Sequence, residues 1–283
     1  MRIAIASGKG GTGKTTLAVN LAMFAAQSHR VLLMDLDVEE PNSSLFVKGE
    51  LTSKTAMWRL VPEWDKIACT LCGKCAKVCK FNAILKLGDR IMVLPELCHA
   101  CHACSELCPA NALPMQQKNL GSRRLFKREE LTFLESKLEI GVEQATPLIK
   151  QSLDYVDKEF PGMDYQFIDC PPGTSCSMIN ATKTADYVIL VTEPTPFGLH
   201  DLNLAVKTMR QLNKPFGIVV NRVGIGNADV FEYCEKEGIE VIGTIKNDRK
   251  LAELYSRAEL LYPHSEDFRA AIIMILQRLE EQK

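Results

Sequence analysis

The stretch Ile3–Thr15 reads IAIASGKGGTGKT and decides the fold of most of the chain. Its first four residues form an apolar run typical of a buried parallel strand. The run leads into the pattern G-x4-G-K-T, which starts at Gly8, and a helix-like segment follows to about Ala26. A phosphate-binding P-loop requires this order of strand, glycine-rich turn and helix. The sequence therefore predicts a nucleotide site after the first strand.

The residues of this loop suit phosphate binding. Glycines let backbone N–H groups turn inward around phosphate oxygens, and the helix N-terminus adds partial positive charge. Lys14 is expected to reach the β- and γ-phosphates, and Thr15 to bind Mg²⁺. The predicted nucleotide ligands are Gly8, Gly10, Gly11, Thr12, Gly13, Lys14, Thr15 and Thr16. The cofactors expected here are ATP or ADP with Mg²⁺.

Apolar runs and helix-like segments alternate along the rest of the chain. Strands are predicted at 31–34, 165–168, 187–191, 217–220 and 241–245, with a looser one at 131–140, and helices at 145–160 and 268–283. This alternation predicts an α/β fold with a doubly wound parallel sheet.

Acidic residues follow two of the predicted strands. Asp35 and Asp37 end the strand at 31–34, and alternation puts both carboxylates on one side, near the phosphates. A helix cap or a turn is the alternative role for this pair. Asp169 ends the strand at 165–168, where a carboxylate can hold a water bound to Mg²⁺.

Two cysteine runs make up a second informative stretch. They read Cys69-x2-Cys72-x2-Cys75-x3-Cys79 and, eighteen residues later, Cys98-x2-Cys101-x2-Cys104-x3-Cys108-Pro109. This is the pattern of bacterial ferredoxins with two [4Fe–4S] clusters, in which the fourth cysteine of each run serves the other cluster. The expected ligand sets are Cys69, Cys72, Cys75 and Cys108 for the first cluster, and Cys79, Cys98, Cys101 and Cys104 for the second.

Two other chemistries use cysteines in comparable patterns. Zinc sites also use paired CxxC runs, but a tetrahedral zinc needs no third cysteine two residues further on. Disulfides require an oxidising compartment, which nothing in the chain indicates. Three cysteines lie outside the runs. Cys170 and Cys176 are expected to be buried packing thiols, and Cys234 stands alone.

Composition limits the partners and the compartment. The chain has 283 residues, 46% of them hydrophobic, and a formal charge of −1. A neutral chain has no general attraction to nucleic acid or acidic membranes. No apolar run is long enough to span a bilayer, and no signal peptide is expected ahead of the first strand. We therefore expect a cytoplasmic protein, and oxygen-sensitive clusters favour an anaerobic prokaryote.

Lys9 connects the chain to a known family. With this second lysine the loop reads K-G-G-x-G-K-T, which resembles the deviant Walker A motif of the MinD/ParA ATPases. The motifs Asp35-Leu36-Asp37, Pro41-Asn42 and Asp169-Cys170-Pro171-Pro172-Gly173 extend the resemblance over nearly the whole chain. The cysteine runs resemble those of a subfamily with an inserted two-cluster ferredoxin, related to Mrp proteins and the nitrogenase iron protein.

The resemblance implies roles for single residues. Lys9, Lys14 and Asp37 form the implied catalytic set: Lys9 crosses a nucleotide-sandwich dimer to the partner's ATP, and Asp37 orients the attacking water. Thr15, Asp35 and Asp169 lie around Mg²⁺. Asn221 and Arg222 resemble the strand end that contacts adenine, whereas the loop at Asp248 lacks the family's proline, which leaves an adenine role for Asp248 open.

The resemblance also implies the domain arrangement. Removing residues 61–118 leaves a separation between Asp37 and Asp169 that is ordinary for such an ATPase. The expectation is a discontinuous ATPase domain, 1–60 and 119–283, with a small inserted α+β ferredoxin-like domain at 61–118.

Three functions follow from these motifs. The leading one is an ATPase that couples nucleotide-driven dimerisation, with itself or a similar ATPase, to electron transfer or metallocluster handling. The family implies a NifX/NifB-like metallocluster-binding protein or a redox protein as partner. An Mrp-like cluster carrier is the first alternative, although its C-terminal CxxC pair is missing. A redox-sensing positioning ATPase of the MinD/ParA type is the second.

Overall fold

The structure is a computed structural model that describes residues 1–282. The strands are β1 Arg2–Ala6, β2 Val31–Asp35, β3 Glu50–Pro62, β4 Ile84–Leu87, β5 Arg90–Val93, β6 Met115–Arg128, β7 Leu131–Leu138, β8 Tyr165–Asp169, β9 Tyr187–Thr192, β10 Phe216–Val223 and β11 Val241–Lys246. The helices are α1 Lys14–Ala25, α2 Ser44–Val47, α3 Lys74–Val78, α4 Ala103–Glu106, α5 Ala145–Glu159, α6 Cys176–Thr182, α7 Pro196–Gln211, α8 Asp229–Lys236, α9 Arg249–Ser256 and α10 Glu266–Glu280.

Nine strands form the main sheet in the order β11-β10-β9-β1-β8-β2-β7-β6-β3. The seven strands from β11 to β7 pair in parallel. In β1, Ile3, Ala4, Ile5 and Ala6 are all fully buried, so both faces of the central strands are covered. Parallel sheets need this double cover, and it explains why these strands are continuous apolar runs.

The predicted α/β fold with a mostly parallel sheet is confirmed, but the sheet is not parallel throughout. Only Glu129 and Glu130 separate β6 from β7, and a connection this short joins antiparallel strands. The long strands β3 and β6 were not predicted at all. The first seven residues of β3 are exposed, and polar residues at a sheet edge give no apolar pattern to read.

Parallel strands bring their carboxyl ends to one edge of the sheet, where ligands bind in folds of this kind. The P-loop follows β1, and the acidic residues Asp35 and Asp169 end β2 and β8. Asp35 lies in register with Asp169 on one side and with Glu135 of β7 on the other. The topology thus brings together residues that are far apart in sequence.

The chain divides into two compact units. The first comprises residues 1–55, 123–137 and 149–283, and the second comprises 56–122 and 138–148. The predicted boundary at 61 falls inside β3, and that at 118 falls inside β6. The chain therefore passes from one unit to the other within strands and not within loops. The predicted domain limits stay a prediction.

The second unit is small and built on turns. It contains the short helices α3 and α4, and β4 pairs with β5 in an antiparallel hairpin. Cys75 and Cys104 are buried with Ile84, Ile91 and Leu113 in one of its small apolar clusters. Cysteines therefore take a large share of this unit's interior.

The chain's last helix is packed into the core of the first unit. Phe268, Ile272, Ile275 and Leu279 of α10 are buried in the main core. The helix predicted at 268–283 is thus part of the core. Within residues 1–282, no helix combines the length and the apolar composition needed to cross a membrane.

Candidate functional site

The P-loop is held against the end of β10. Gly13 precedes α1 with a φ of 96°, a conformation that favours glycine. A Cβ at this position would lie 2.4 Å from the Nδ2 atom of Asn221. The same Nδ2 donates to the carbonyl of Thr12 at 2.8 Å. Asn221 therefore packs on the phosphate loop, and the contact with adenine that the resemblance implies stays a prediction.

Lys14 and Asp169 occupy the buried floor of the loop. Lys14 is 6% exposed and Asp169 only 1%. Burial raises the pKa of Asp169 to about 6, against opposing effects from a Thr15 hydrogen bond and the charge of Lys14. One carboxylate oxygen, Oδ1, is buried without a hydrogen-bond partner in the described structure. The predicted Mg²⁺ residues Thr15 and Asp169 are thus brought together, and a cation there would satisfy that oxygen.

Asp35 anchors a loop. Its Oδ1 accepts from the backbone N–H of Asp37 at 3.1 Å, and its Oδ2 accepts from Asn42 and Ser43 at 3.1 and 3.0 Å. Burial, followed by the charge of Asp169, raises the pKa of Asp35 well above its ordinary value. Both oxygens already bind backbone N–H groups, so this geometry favours the turn alternative; a place near Mg²⁺ stays a prediction.

Asp37 projects from the loop that Asp35 anchors. It is partly exposed, and burial raises its pKa to about 6 although the nearby charge of Lys14 lowers it. A carboxyl that titrates near neutrality beside a phosphate site is a candidate for orienting or deprotonating water. That role remains the one implied by the resemblance.

Glu193, which the sequence left without a role, organises two predicted site residues. It follows β9 and is 6% exposed. One oxygen lies 3.2 Å from the Nζ of Lys9, and the other lies 2.5 Å from a guanidinium nitrogen of Arg222. Its signal in the sequence was the same as that of Asp35, an acidic residue directly after an apolar strand.

A cavity beside the P-loop gathers the ends of β10 and β11. It is lined by Gly13, Thr16, Leu17, Asn221, Arg222, Ile245, Lys246, Asn247, Asp248, Leu251, Ala252, Tyr255, Leu261 and Phe268. Its wall combines apolar side chains with polar groups, as a heterocyclic base requires. Asp248 caps α9 by accepting from the backbone of Lys250 at 2.8 Å. Asn221 and Arg222 therefore line a candidate site for a heterocyclic base. Their side chains already contact other groups of the protein.

The eight cysteines of the second unit line two cavities. The cysteines around the first cavity are Cys69, Cys72, Cys75 and Cys108. Those around the second are Cys79, Cys98, Cys101 and Cys104. Each cavity thus takes three thiols from one run and the fourth from the other run.

The backbone around the two cavities repeats itself. Three pairs of residues with positive φ lie 29 positions apart: Leu71 and Ala100, Gly73 and His102, Asn82 and Asn111. The backbone N–H of Ala83 donates to the sulfur of Cys79 at 3.3 Å, and that of Ala112 donates to Cys108 at 3.3 Å. Left-handed conformations cost energy for residues other than glycine, and they concentrate at functional sites.

The thiols of each group do not converge on a single point. Among residues 1–282, no three histidine, cysteine or acidic side chains are arranged to bind one metal ion. A [4Fe–4S] cube places its four thiolates on four different irons, so its ligands do not share an ion. Burial raises the pKa of Cys104 to about 11, and the neighbouring Cys98 adds to the rise. A positively charged group at the cavity would be needed to deprotonate this thiol at neutral pH.

The profile of the CobQ/CobB/MinD/ParA nucleotide binding domain matches residues 3–261. The chain belongs to this family. An uncharacterized protein of Methanocaldococcus jannaschii is 30% identical over 263 residues, which cover 92% of this chain and 90% of that protein. The iron-sulfur cluster carrier protein of Aquifex aeolicus is 24% identical over an alignment of 305 residues, covering 99% and 68%. The structure of the septum site-determining protein MinD with Mg-ADP from Pyrococcus horikoshii OT3 matches with a TM-score of 0.62 at 18% identity, covering 98% and 95%.

Membership of this MinD/ParA-type family makes the P-loop side of the sheet a nucleotide site. Two further polar residues adjoin the acidic residues that end β2 and β8, and the sequence did not indicate them. The hydroxyl of Ser43 donates to Asp169 at 3.4 Å. Glu135, in register with Asp35, is fully buried and paired with Arg124. Ser43 had no sequence signal because its partner is 126 residues away, and Glu135 had none because β6, which carries its partner Arg124, was not predicted as a strand.

One expectation about the remaining thiols was wrong. Cys170 is buried as expected, and burial raises its pKa, but Cys176 is exposed. Cys176 begins α6, whose buried side is formed by Met178, Ala181 and Thr182. Position 176 is two residues from Met178, which places it on the opposite side of the helix.

Proposed function

We propose that this protein is an ATP-hydrolysing member of its family that carries two [4Fe–4S] clusters. ATP drives two chains into a dimer, and the dimer passes electrons, or a metallocluster, to a partner protein. The inserted cysteine-rich segment acts as a two-cluster ferredoxin module. This proposal extends the nucleotide-binding function that family membership establishes.

One observation carries the proposal: each cavity of the second unit is lined by four cysteines drawn from both runs. Neither cavity groups the four cysteines of a single run. Zinc knuckles and random thiol packing give no reason for this exchange, whereas paired cubes require it. Four thiols are also the full ligand set of one cube.

Other groups around the cavities support the same ligand. The indole Nε1 of Trp64, which lines the first cavity, is buried and has no hydrogen-bond partner in the described structure. The N–H of Leu71 donates to the sulfur of Cys69 at 3.4 Å. Hydrogen bonds to cluster sulfurs are a means by which proteins adjust cluster potentials. The site therefore offers a cube both its thiolates and N–H groups for its sulfurs.

The nucleotide site supports hydrolysis. Lys14 supplies a buried positive charge for the transferring phosphoryl group, and Asp37 supplies a carboxyl near it. Lys9, from the partner chain, adds charge that is present only in the dimer. Hydrolysis then removes the γ-phosphate that holds the dimer together.

The test has two stages. Anaerobically prepared protein should contain about eight irons and eight sulfides per chain. Its cluster potentials should then shift when a non-hydrolysable ATP analogue replaces ADP. Stoichiometric zinc without sulfide would exclude the clusters. Potentials that do not depend on nucleotide would exclude the coupling and leave the clusters in place.

A cluster carrier is the second candidate, because a relative covering 99% of this chain is named an iron-sulfur cluster carrier protein. A carrier would lose its clusters to an apo-ferredoxin in an ATP-dependent way. An electron-transfer protein would keep all eight irons while it reduces an acceptor. Iron analysis of both proteins after incubation and separation distinguishes the two functions.

A further inference from the structure

A buried arginine without an acidic partner lies at the second cysteine site. Arg59 on β3 is 8% exposed. Its guanidinium donates to the carbonyls of Cys98 and Pro95 at 3.2 and 3.1 Å, and to the side chain of Gln144. Its Nε atom is buried without a hydrogen-bond partner, and no carboxylate among residues 1–282 forms an ion pair with it.

The buried positive charge of Arg59 needs a negative charge nearby. A guanidinium remains charged at any pH that the protein meets, and burying an unpaired cation is strongly unfavourable. The three neutral oxygens around Arg59 supply only partial negative charge. Gln144 itself is held by donating to the carbonyl of Glu96 at 2.8 Å. The protein groups therefore orient Arg59 without neutralising it.

The neighbours of Arg59 place it on the side of the second cavity. Val61, two residues further along β3, shares its face of the strand. Val61 is buried in a cluster with Ala83 and Cys98. The carbonyl that Arg59 binds belongs to Cys98, one of the four cysteines around that cavity. The unbalanced charge thus lies beside this cysteine site.

The turn that precedes the first cysteine run is held by a different kind of side chain. The turn that enters Cys69 is held by Asp65, whose carboxylate accepts from the backbone N–H groups of Ile67 and Ala68 at 2.8 and 3.1 Å. The turn that enters Cys98 is held by a cation. Lys86 donates to the carbonyl of Leu71 near the first site, but it is exposed, so water and salt screen its charge. The two sites therefore differ in electrostatic environment.

We propose that Arg59 is a positioning residue for the second cluster and supplies its main buried counter-charge. This inference rests on the proposed two-cluster function. A cube with four thiolates carries a net charge of 2− when oxidised and 3− after it takes up one electron. A fixed cation stabilises the more negative form, so the cluster on Cys79, Cys98, Cys101 and Cys104 has the higher potential and is reduced first.

The test is an anaerobic redox titration of the full-length protein with dithionite as the electron source, monitored by EPR. Wild type should show two one-electron steps. Arg59→Gln should lower the higher step so that its reduction equilibrium falls at least about tenfold, which is about 59 mV for one electron. Arg59→Lys keeps the charge and should stay within about threefold of wild type. The lower step should not move.

Two further variants make the assignment specific. Lys86→Gln removes an exposed charge near a ligand loop and should move neither step by more than about twofold. Cys101→Ala in the Arg59→Gln protein should abolish the step that Arg59→Gln shifted. An equal shift in Arg59→Lys and Arg59→Gln, or no shift while eight irons are retained, overturns the proposal.

Loss of metal is also decisive. If Arg59→Gln holds about four irons and Arg59→Lys holds eight, the charge is needed to bind the second cluster, and the proposal stands. Iron loss from both variants would instead mean that the shape of arginine matters, which overturns it. A wild-type protein without eight irons would defeat the proposed function itself. Two clear steps in wild type that Arg59→Gln does not move would defeat only this inference.

Discussion

The Nζ of Lys9 lies 3.2 Å from the carboxylate of Glu193 within a single chain. Glu193 is buried, and its other oxygen is paired with Arg222. If Lys9 acts on the ATP of a partner, this internal ion pair must break first. We therefore predict that Glu193 holds Lys9 in place in the single chain and opposes dimerisation.

Replacing Glu193 should make dimerisation easier. Glu193→Gln removes the charge that holds Lys9, so half-maximal dimerisation should need about threefold to tenfold less ATP. The assay is analytical ultracentrifugation in an Asp37→Ala background, which we expect to slow hydrolysis. Glu237→Gln is the matched control, because Glu237 also pairs with an arginine, at 2.6 Å, but on the surface. Equal ATP requirements for Glu193→Gln and its parent would contradict this role.

The trans action of Lys9 has its own test. Lys9→Ala and Lys14→Ala should each retain less than about a tenth of wild-type ATP turnover. Each variant lacks one of the two positive charges expected to stabilise the transferring phosphoryl group. In a mixture, the Lys9→Ala chain keeps its own Lys14 and receives Lys9 from its partner. Partial activity should therefore return in a phosphate-release assay. Absence of rescue at every mixing ratio would place Lys9 in its own chain's site.

Asp169 should make stability depend on pH. Its pKa is about 6 in the folded chain against 3.8 ordinarily, so between about pH 4 and 6 the folded state binds more protons than the unfolded state. Its contribution to the free energy of unfolding therefore decreases as pH rises through that window. Without nucleotide, Asp169→Asn should be more stable than wild type by roughly 3 kcal/mol at pH 7. The difference should shrink towards pH 4.

Urea unfolding of the nucleotide-free protein at several pH values measures this effect. Asp154→Asn, at an exposed position on α5, is the control and should show little change. The same Asp169→Asn variant should lose Mg²⁺-dependent ATP binding, since it lacks the carboxylate expected near the metal. A stability difference that is constant from pH 4 to pH 7 would show that the Asp169 carboxyl does not titrate in this window.

Paired cysteine substitutions test the exchanged ligand sets. Cys79 and Cys101 line the same cavity although they come from different runs. Cys79→Ala with Cys101→Ala should therefore remove one cube and leave about four irons. Cys79→Ala with Cys72→Ala, both from one run, should remove both cubes. Iron and sulfide analysis of the purified double variants decides between the two groupings.

The reciprocal pair serves as the control. Cys108→Ala with Cys72→Ala should leave about four irons, because both residues line the first cavity. The contradicting outcome would be four irons in the single-run variant, Cys79→Ala with Cys72→Ala, and no iron in both variants with two substitutions at one cavity. The fourth cysteine of each run would then serve its own cluster. The exchanged assignment would then be wrong.

Local patterns were enough for the central sheet and for the motifs at its edge. The apolar runs at β1, β2, β8 and β9 are visible in the sequence because both faces of these strands are buried. The P-loop was predictable because its glycines and Lys14 are adjacent along the chain. The spacing within each cysteine run was informative for the same reason.

Only the tertiary structure decided what the charged residues do. Glu193 holds Lys9, Arg59 binds the carbonyl of Cys98, and Glu135 pairs with Arg124. Lys9 and Glu193, and Arg59 and Cys98, are far apart along the chain, and sequence spacing carries no information on which distant strands meet; Glu135 and Arg124 are 11 residues apart, on strands joined by a two-residue turn. The exposed edge strand β3, which carries Arg59, was missed because polar residues at an edge have no apolar period. The sequence by itself determined the ATPase fold and the spacing of the thiols, whereas the arrangement of charge around both sites depended on how the strands pair.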